Sequence, residues 1–160
     1  MFHAMRRKRQ LLTEEQSLEI LRRGTSGVLS MQGDDGYAYG VPLSYVYKEG
    51  KLYFHSAVSG HKLDCIRREG RVSFCVIGQD QVMPAEYTTY FRSVIVFGRV
   101  RILQDHAEIT AALRALGERY APADAAGLER EIARELCRVC VLELAVEHMT
   151  GKEAIELVHA

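Results

Sequence analysis

Leu52-Tyr-Phe-His-Ser-Ala-Val-Ser-Gly-His-Lys-Leu-Asp-Cys-Ile-Arg-Arg68 is the stretch from which the rest of the chain can be read. It opens as a short apolar strand, passes through small residues at Ser56, Ala57, Ser59 and Gly60, and turns helical, with Leu63 and Ile66 three apart on one face. A strand-to-helix turn aims unpaired backbone N–H groups and the positive end of the helix dipole at one point. Ser56, Ser59, His61 and Lys62 add side-chain donors beside it, a combination suited to a phosphate. The same residues also make an ordinary capped helix with a solvated lysine, so the choice rests on the remaining sequence.

Upstream, Tyr37 to Tyr47 alternates along its length, with Tyr37, Tyr39, Val41, Leu43, Tyr45 and Tyr47 on one face and Ala38, Gly40, Pro42, Ser44 and Val46 on the other. Pro42 cannot donate to a ladder, so this strand lies at an edge or breaks there, freeing neighbouring backbone groups for a ligand. Gly33-Asp-Asp-Gly36 is a turn joining it to a strand through Val28, Leu29 and Met31. Thr13-Glu-Glu-Gln16 is a capping box that starts a helix ending at Gly24. Residues 1–12 read as an N-terminal arm carrying the basic run Arg6-Arg7-Lys8-Arg9, a solvated tail or a flap over an anionic ligand.

Downstream, Gly70 stops the helix and Val72, Phe74 and Val76 mark a fourth strand, followed by a loop containing Pro84. Thr88 to Leu103 is a long strand region in which Gly98 signals a bulge or bend. Asp105 caps a helix with Ile109, Leu113, Leu116 and Tyr120 on one stripe, Pro122 ends it, and a second helix carries Leu128, Ile132 and Leu136. Val139 to Val146 is the last strand. The pattern predicts a mainly β, α+β fold: a six-stranded antiparallel Greek-key barrel with flanking helices, closed so that few strand edges remain exposed.

With 160 residues and 48% hydrophobic composition, the chain is expected to form one domain over residues 1–160. Its formal net charge of zero at pH 7 provides no global field for nucleic acid or membrane, so an anion must be captured locally. No apolar run approaches a membrane span and no signal peptide is visible, which predicts a soluble, cytoplasmic protein. Cys137 and Cys140 have Cys-x-x-Cys spacing, but no second close pair completes a zinc site, and reduced, partly buried thiols are expected at all four cysteines, Cys65 and Cys75 included. No metal site is expected.

Three motifs in order, Val41-Pro-Leu-Ser-Tyr45, then Leu52-Tyr-Phe-His-Ser-Ala57 with Gly60-His-Lys62, then Tyr90-Phe-Arg-Ser-Val-Ile-Val-Phe-Gly98, closed by Thr150-Gly-Lys-Glu153, resemble the flavin-binding split barrels of the pyridoxamine 5′-phosphate oxidase superfamily. The nitroimidazole-resistance, or Nim-type, branch is the most similar, and the resemblance covers nearly the whole chain. It implies a homodimer binding FMN in two symmetric clefts between subunits. The phosphate would meet Ser56, Ala57 and the Gly60-His61-Lys62 turn, and the ring would lie along Val41, Pro42, Leu43 and Ser44, with His55, Arg92 and Ser93 nearby. This agrees with the residues themselves, since a lysine on a helix N-terminus gives a dianion both a point charge and backbone donors.

His55 has two readings: a strand histidine bonded to a neighbouring strand, or, as in the Nim-type branch, a catalytic group that passes protons or orients substrate near the flavin. His61 reads as a phosphate or solvent contact; His3, His106, His148 and His159 read as tail, surface or structural groups. The superfamily's oxidases proper carry a C-terminal arginine and tryptophan-containing segment that engages substrate, and this chain has no tryptophan. Oxidation of pyridoxamine phosphate is therefore not expected. The resemblance implies instead an FMN-dependent oxidoreductase that takes electrons from a reduced nicotinamide nucleotide and reduces a small-molecule acceptor, nitroimidazole-type compounds among them. The alternative is a non-catalytic flavin or nucleotide carrier or sensor, consistent with the lack of a Rossmann glycine fingerprint. A third class, single-stranded nucleic acid stacked on Tyr37, Tyr39, Tyr45 and Tyr47, is disfavoured because no lysine or arginine is interleaved between Tyr37 and Tyr47.

Overall fold

The computed structural model describes residues 1–158, so His159 lies outside the described residues. Helix α1 (Glu14–Arg23) begins where the Gln16 N–H donates to the Thr13 hydroxyl and the Thr13 N–H donates to the Gln16 side chain, the reciprocal cap written in the sequence. Strands β1 (Ser26–Gln32) and β2 (Ala38–Ser44) form a hairpin in which Asp35 and Gly36 take φ of 54° and 80°. Two left-handed residues give a turn whose twist matches that of the strands it joins. The same device, at Glu49 and Gly50, joins β3 (Val46–Lys48) to β4 (Lys51–Ala57). Helix α2 (His61–Arg68), the long hairpin β5 (Arg71–Met83) and β6 (Thr88–Ile102), helices α3 (His106–Tyr120) and α4 (Ala125–Glu135), and β7 (Val139–Glu153) complete the order.

The described strands number seven, not six, and pair antiparallel in the order β2-β1-β5-β6-β7-β4-β3 without the ladder closing on itself. The sequence treats Tyr37 to Tyr47 as one strand, but the segment is divided at Tyr45. Ser44 ends one edge strand and Val46 begins the opposite one, so a single residue joins the two edges of the sheet. Tyr45 leaves the ladder because its N–H is shared between the Thr25 carbonyl at 3.2 Å and the Tyr120 hydroxyl at 3.0 Å, while its own carbonyl lies 3.0 Å from that hydroxyl. No local feature announces this, since Tyr120 lies 75 residues away. Pro42 does not break the strand. It stands opposite Val28 on edge strand β2, where a missing N–H costs no ladder bond. The barrel is therefore split along the gap between β2 and β4.

Alternation fills the interior. Leu29, Leu52, Phe54, Phe74, Val76, Val94, Val96, Leu142 and Leu144 are buried, with Phe74 edge-on to Tyr45 at 5.0 Å and to Phe54 at 5.1 Å. Gly98 marks a register shift against β7, as expected, because a Cβ there would collide with the Ala145 carbonyl. A second irregularity lies at Gly78, between Ile77 and Gln79 on β5. The tyrosine face is not uniform: Tyr45 is fully buried and its hydroxyl donates to the Leu21 carbonyl at 2.7 Å, whereas Tyr37 is exposed. A buried Tyr45 cannot stack on a nucleobase.

Strand β7 is buried on both faces from Cys140 to Leu144, because α3 lays Ile109 and Ala112 over its outer side against Val141. Glu143 sits in that layer, accepting from Arg101 at 2.9 Å and Lys51 at 3.2 Å. Burial alone would raise its carboxyl, but these two cations outweigh it and hold the group below its ordinary value. No helix among the described residues is long and apolar enough to cross a membrane.

Candidate functional site

Three elements converge on the split. Strand β4 pairs with β7 along its whole length, but β3 covers only Lys51 to Tyr53 on the other side, so His55, Ser56 and Ala57 present one unpaired edge. Strand β2 pairs only with β1, leaving its outer edge through Val41, Pro42, Leu43 and Ser44 free, and this strand lies against β4. Helix α2 starts between them. Its N-cap Gly60 has φ 140° and ψ 163°, a conformation close to exclusive to glycine, and a Cβ there would meet nothing within 4 Å. The glycine is required by the backbone path, which turns the chain sharply from strand to helix and leaves Ala57 to Gly60 exposed.

His61 anchors the helix start to β2: its ring packs 4.8 Å from that of Tyr39, and Nε2 stands 3.6 Å from Asp34 Oδ2 and 3.6 Å from Cys65 Sγ. Asp34 is committed elsewhere, accepting from Arg68 at 2.6 Å, and that hydrogen bond holds its carboxyl below the usual range. Lys62 is half-buried and has no ion-pair partner among the described residues. Burial pushes the Cys140 thiol up, with Arg67 and Lys62 pulling the other way. Cys140 is the cross-strand partner of Ser56. Lys62 is therefore a cation held over the end of β4, beside backbone groups with no partner strand. Ser56 is buried, and its hydroxyl donates to the Ala57 carbonyl at 3.1 Å.

Residues Val41–Ser44, His55–Ala57 and Gly60–Lys62 thus gather around one gap. Arg92 and Ser93 do not join them within the chain. Arg92 is ion-paired to Glu153 at 3.0 Å and lines a different cavity, of about 590 Å³, with Thr25, Ser26 and Gln79. Ser93 lies on the outer face of the sheet between Ile77 and Lys152. His55 is exposed and its ring is hydrogen-bonded to no described residue; it faces a cavity of about 330 Å³ shared with Ser44 and roofed by α3 and α4. The sequence missed that roof, since an amphipathic stripe does not say whether a helix fills the space beneath it.

Cross-strand register builds one further feature. Pro42, Val28, Cys75, Ile95 and Thr150 stand in one row across five strands, on the outer face, with Val28 41% and Ile95 40% exposed. The N-terminal arm covers the adjoining part of this face, Phe2 stacking on His148 at 4.6 Å and lying 5.3 Å from Phe97. The four cysteines form no disulfide; Cys65 and Cys140 are buried and Cys75 half-buried, but Cys137, expected to be at least half-buried, is exposed, and no group of metal-ligating side chains occurs among the described residues.

The family model described as pyridoxamine 5′-phosphate oxidase matches residues 13–153. No curated protein matches the chain in sequence. Among solved structures, a protein assigned to 5-nitroimidazole antibiotic resistance from Bacteroides thetaiotaomicron is 21% identical with a TM-score of 0.73, the match covering 89% of this chain and 86% of that one. An FAD-binding protein from Mesorhizobium loti is 24% identical with a TM-score of 0.63, over 91% and 97%. The flavocytochrome Anf3 from Azotobacter vinelandii is 18% identical with a TM-score of 0.81, over 95% and 72%. At these identities the shared property is the fold.

Proposed function

This chain belongs to the pyridoxamine 5′-phosphate oxidase family, and from that premise we propose that it is a homodimeric flavoprotein that holds FMN in the split of its barrel and reduces a small-molecule acceptor. One observation carries the reading: a cation without an acid partner among the described residues, Lys62, sits on a helix N-terminus bounded by two unpaired strand edges. Backbone N–H groups of the Gly60–Lys62 turn and the Lys62 ammonium suit a phosphate dianion. The free edge from Val41 to Ser44 offers amide groups to the polar rim of a flat heterocycle. FAD-binding neighbours of the same fold support a flavin in general, and the mononucleotide is the form that the family resemblance implies. Bound there, a flavin supplies two-electron chemistry, and the protein orients it and limits solvent access. His55, near the end of β4 and with its imidazole free of hydrogen bonds to described residues, is the group in reach to hold or pass a proton.

The homodimer rests on the outer row from Pro42 to Ile95, an apolar strip suited to cover by a second copy. Ser93 lies beside that strip, so a partner seated on it brings Ser93, and Arg92 behind it, toward the neighbouring subunit's cleft. The acceptor class includes nitroimidazole-type compounds, with reduced nicotinamide nucleotide as donor. The test is the visible spectrum and released-ligand mass of the native protein, followed by reduction with NADH or NADPH and reoxidation by a nitroimidazole. A yellow protein releasing FMN and turning over is expected. A protein that stays colourless after incubation with FMN overturns the reading, and FMN bound without turnover reduces it to a carrier.

A further inference from the structure

The cavity under the α3–α4 hairpin is chemically unlike the socket at Lys62. Leu113, Leu116 and Gly117 of α3, Leu128 and Ile132 of α4, and Val139 of β7 give it an apolar wall. Its volume of about 330 Å³ is at the small end of ligand sites, which run from about 300 to 1,000 Å³. At its base stand two polar side chains, Ser44 and His55, neither with a hydrogen-bond partner among the described residues. The other polar groups are occupied. The Tyr120 hydroxyl is bonded to the backbone of Thr25 and Tyr45, and Glu131 and Glu135 both pair with Arg134, at 2.5 Å and 3.0 Å. Two carboxylates against one guanidinium leave that rim one negative charge in excess, opposite in sign to the Lys62 end.

We propose that this cavity is the acceptor-specificity site: it takes the apolar ring of a small neutral or cationic compound, directs a polar substituent of that ring to Ser44 and His55, and discriminates against anions. The inference deepens the flavoprotein reading and rests on it for the word acceptor, but the cavity's selectivity does not. Its physical basis is the pairing of a dry wall, which rewards burial of a ring, with two unsatisfied polar groups that fix its orientation. A carboxylate on the ligand would be desolvated beside Glu131 and Glu135, a like-charge contact that suppresses wrong partners. The two ends of the split thus recognise opposite charges, phosphate at α2 and a non-anionic ring at α4.

Three probes sharing one ring separate the possibilities: indole, tryptamine and indole-3-acetate, titrated into FMN-loaded protein with ligand-observed NMR as readout. Indole and tryptamine are expected to bind about tenfold or more tighter than indole-3-acetate. Leu128→Trp, which fills the cavity from α4, is expected to abolish binding of all three while the flavin content stays at the wild-type level. Equal binding of the anion, or binding that survives Leu128→Trp, overturns the proposal. Loss of flavin in Leu128→Trp also overturns it, by assigning the cavity to the cofactor. Should that variant not fold, the pair Glu131→Gln and Glu135→Gln, which leaves Arg134 alone, is expected to turn the preference toward indole-3-acetate, and an unchanged ranking refutes the role of the rim. If the protein carries no flavin, the same titrations on the colourless form give the same ranking, so failure of the flavoprotein reading and failure of this one are separately visible.

Discussion

Gly60→Ala isolates the backbone path on which the site depends. A Cβ at position 60 meets no atom within 4 Å, so packing is not the cost. The cost is conformational: at φ 140° and ψ 163° an L residue is in a region occupied almost solely by glycine, and holding it there takes about 1–3 kcal/mol. For a chain of this length each kcal/mol lowers Tm by about 2–4 °C, giving a fall of roughly 2–12 °C. The chain can relieve the strain only by tilting the first turn of α2, which carries the N–H groups aimed at the phosphate. Charge-assisted hydrogen bonds contribute about 1.5–3 kcal/mol each, so FMN affinity should fall by about 10- to 100-fold. Gly50→Ala, at φ 80° in the distant β3–β4 turn, is the control, lowering Tm by a similar few degrees with FMN affinity unchanged. Thermal melts and flavin titration of both variants read the two effects apart. Wild-type Tm in Gly60→Ala, or a lowered Tm with FMN affinity kept within about threefold, would refute the reasoning.

Tyr120→Phe removes the hydroxyl that bonds the backbone where the sheet divides, leaving the Tyr45 N–H with only its longer bond to Thr25. A loss of about 1–3 kcal/mol in denaturant unfolding is expected, with faster hydrogen exchange at the Tyr45 amide, and unchanged exchange there would contradict the account of the strand break. Glu143→Gln should destabilise at neutral pH by a similar amount, about 1–3 kcal/mol, by leaving Lys51 without its carboxylate. Because the folded carboxyl is held below its ordinary value of 4.5, the unfolded state binds the proton first as pH falls. Wild type therefore loses this stability only below about pH 4.5, where the two proteins converge; a gap that persists in acid would show that packing, not charge, sets it. Ile95→Glu, on the exposed outer row, should halve the mass in sedimentation without lowering the melting temperature of the barrel. A dimer that survives it would mean that copies associate through another face.

Much of the chain could be read in advance because its signals are local. The Thr13 capping box, the alternation of Val72, Phe74 and Val76, the bulge at Gly98 and the turn at Gly60 each follow from residues a few positions apart. The division of the sheet at Tyr45 could not be read, because its cause is a hydroxyl 75 residues away. Strands β5 and β7 run longer than their sequence pattern suggests for a related reason: Gln79-Asp80-Gln81 is polar and lies beyond the alternating run, and only its partner strand makes it regular. At the site, Val41–Ser44, His55–Ala57 and Gly60–Lys62 are grouped by the family resemblance their motifs carry, whereas the residues alone point only to the phosphate turn at Gly60–Lys62 and the freed backbone around Pro42. The cavity under α3 and α4 was not, since Leu113, Leu116, Leu128 and Ile132 read as core residues until the space between them is seen.

The central claim is that the turn entering α2 is a phosphate socket built on Lys62. Comparing FMN with riboflavin, which differ only by that phosphate, in wild type and Lys62→Ala tests it most directly. Wild type is expected to bind FMN about 100-fold or more tighter than riboflavin, and Lys62→Ala to lose most of that ratio, about 10- to 100-fold, while riboflavin affinity barely moves. Equal affinities for the two flavins in wild type, or an undiminished ratio in Lys62→Ala, would contradict it.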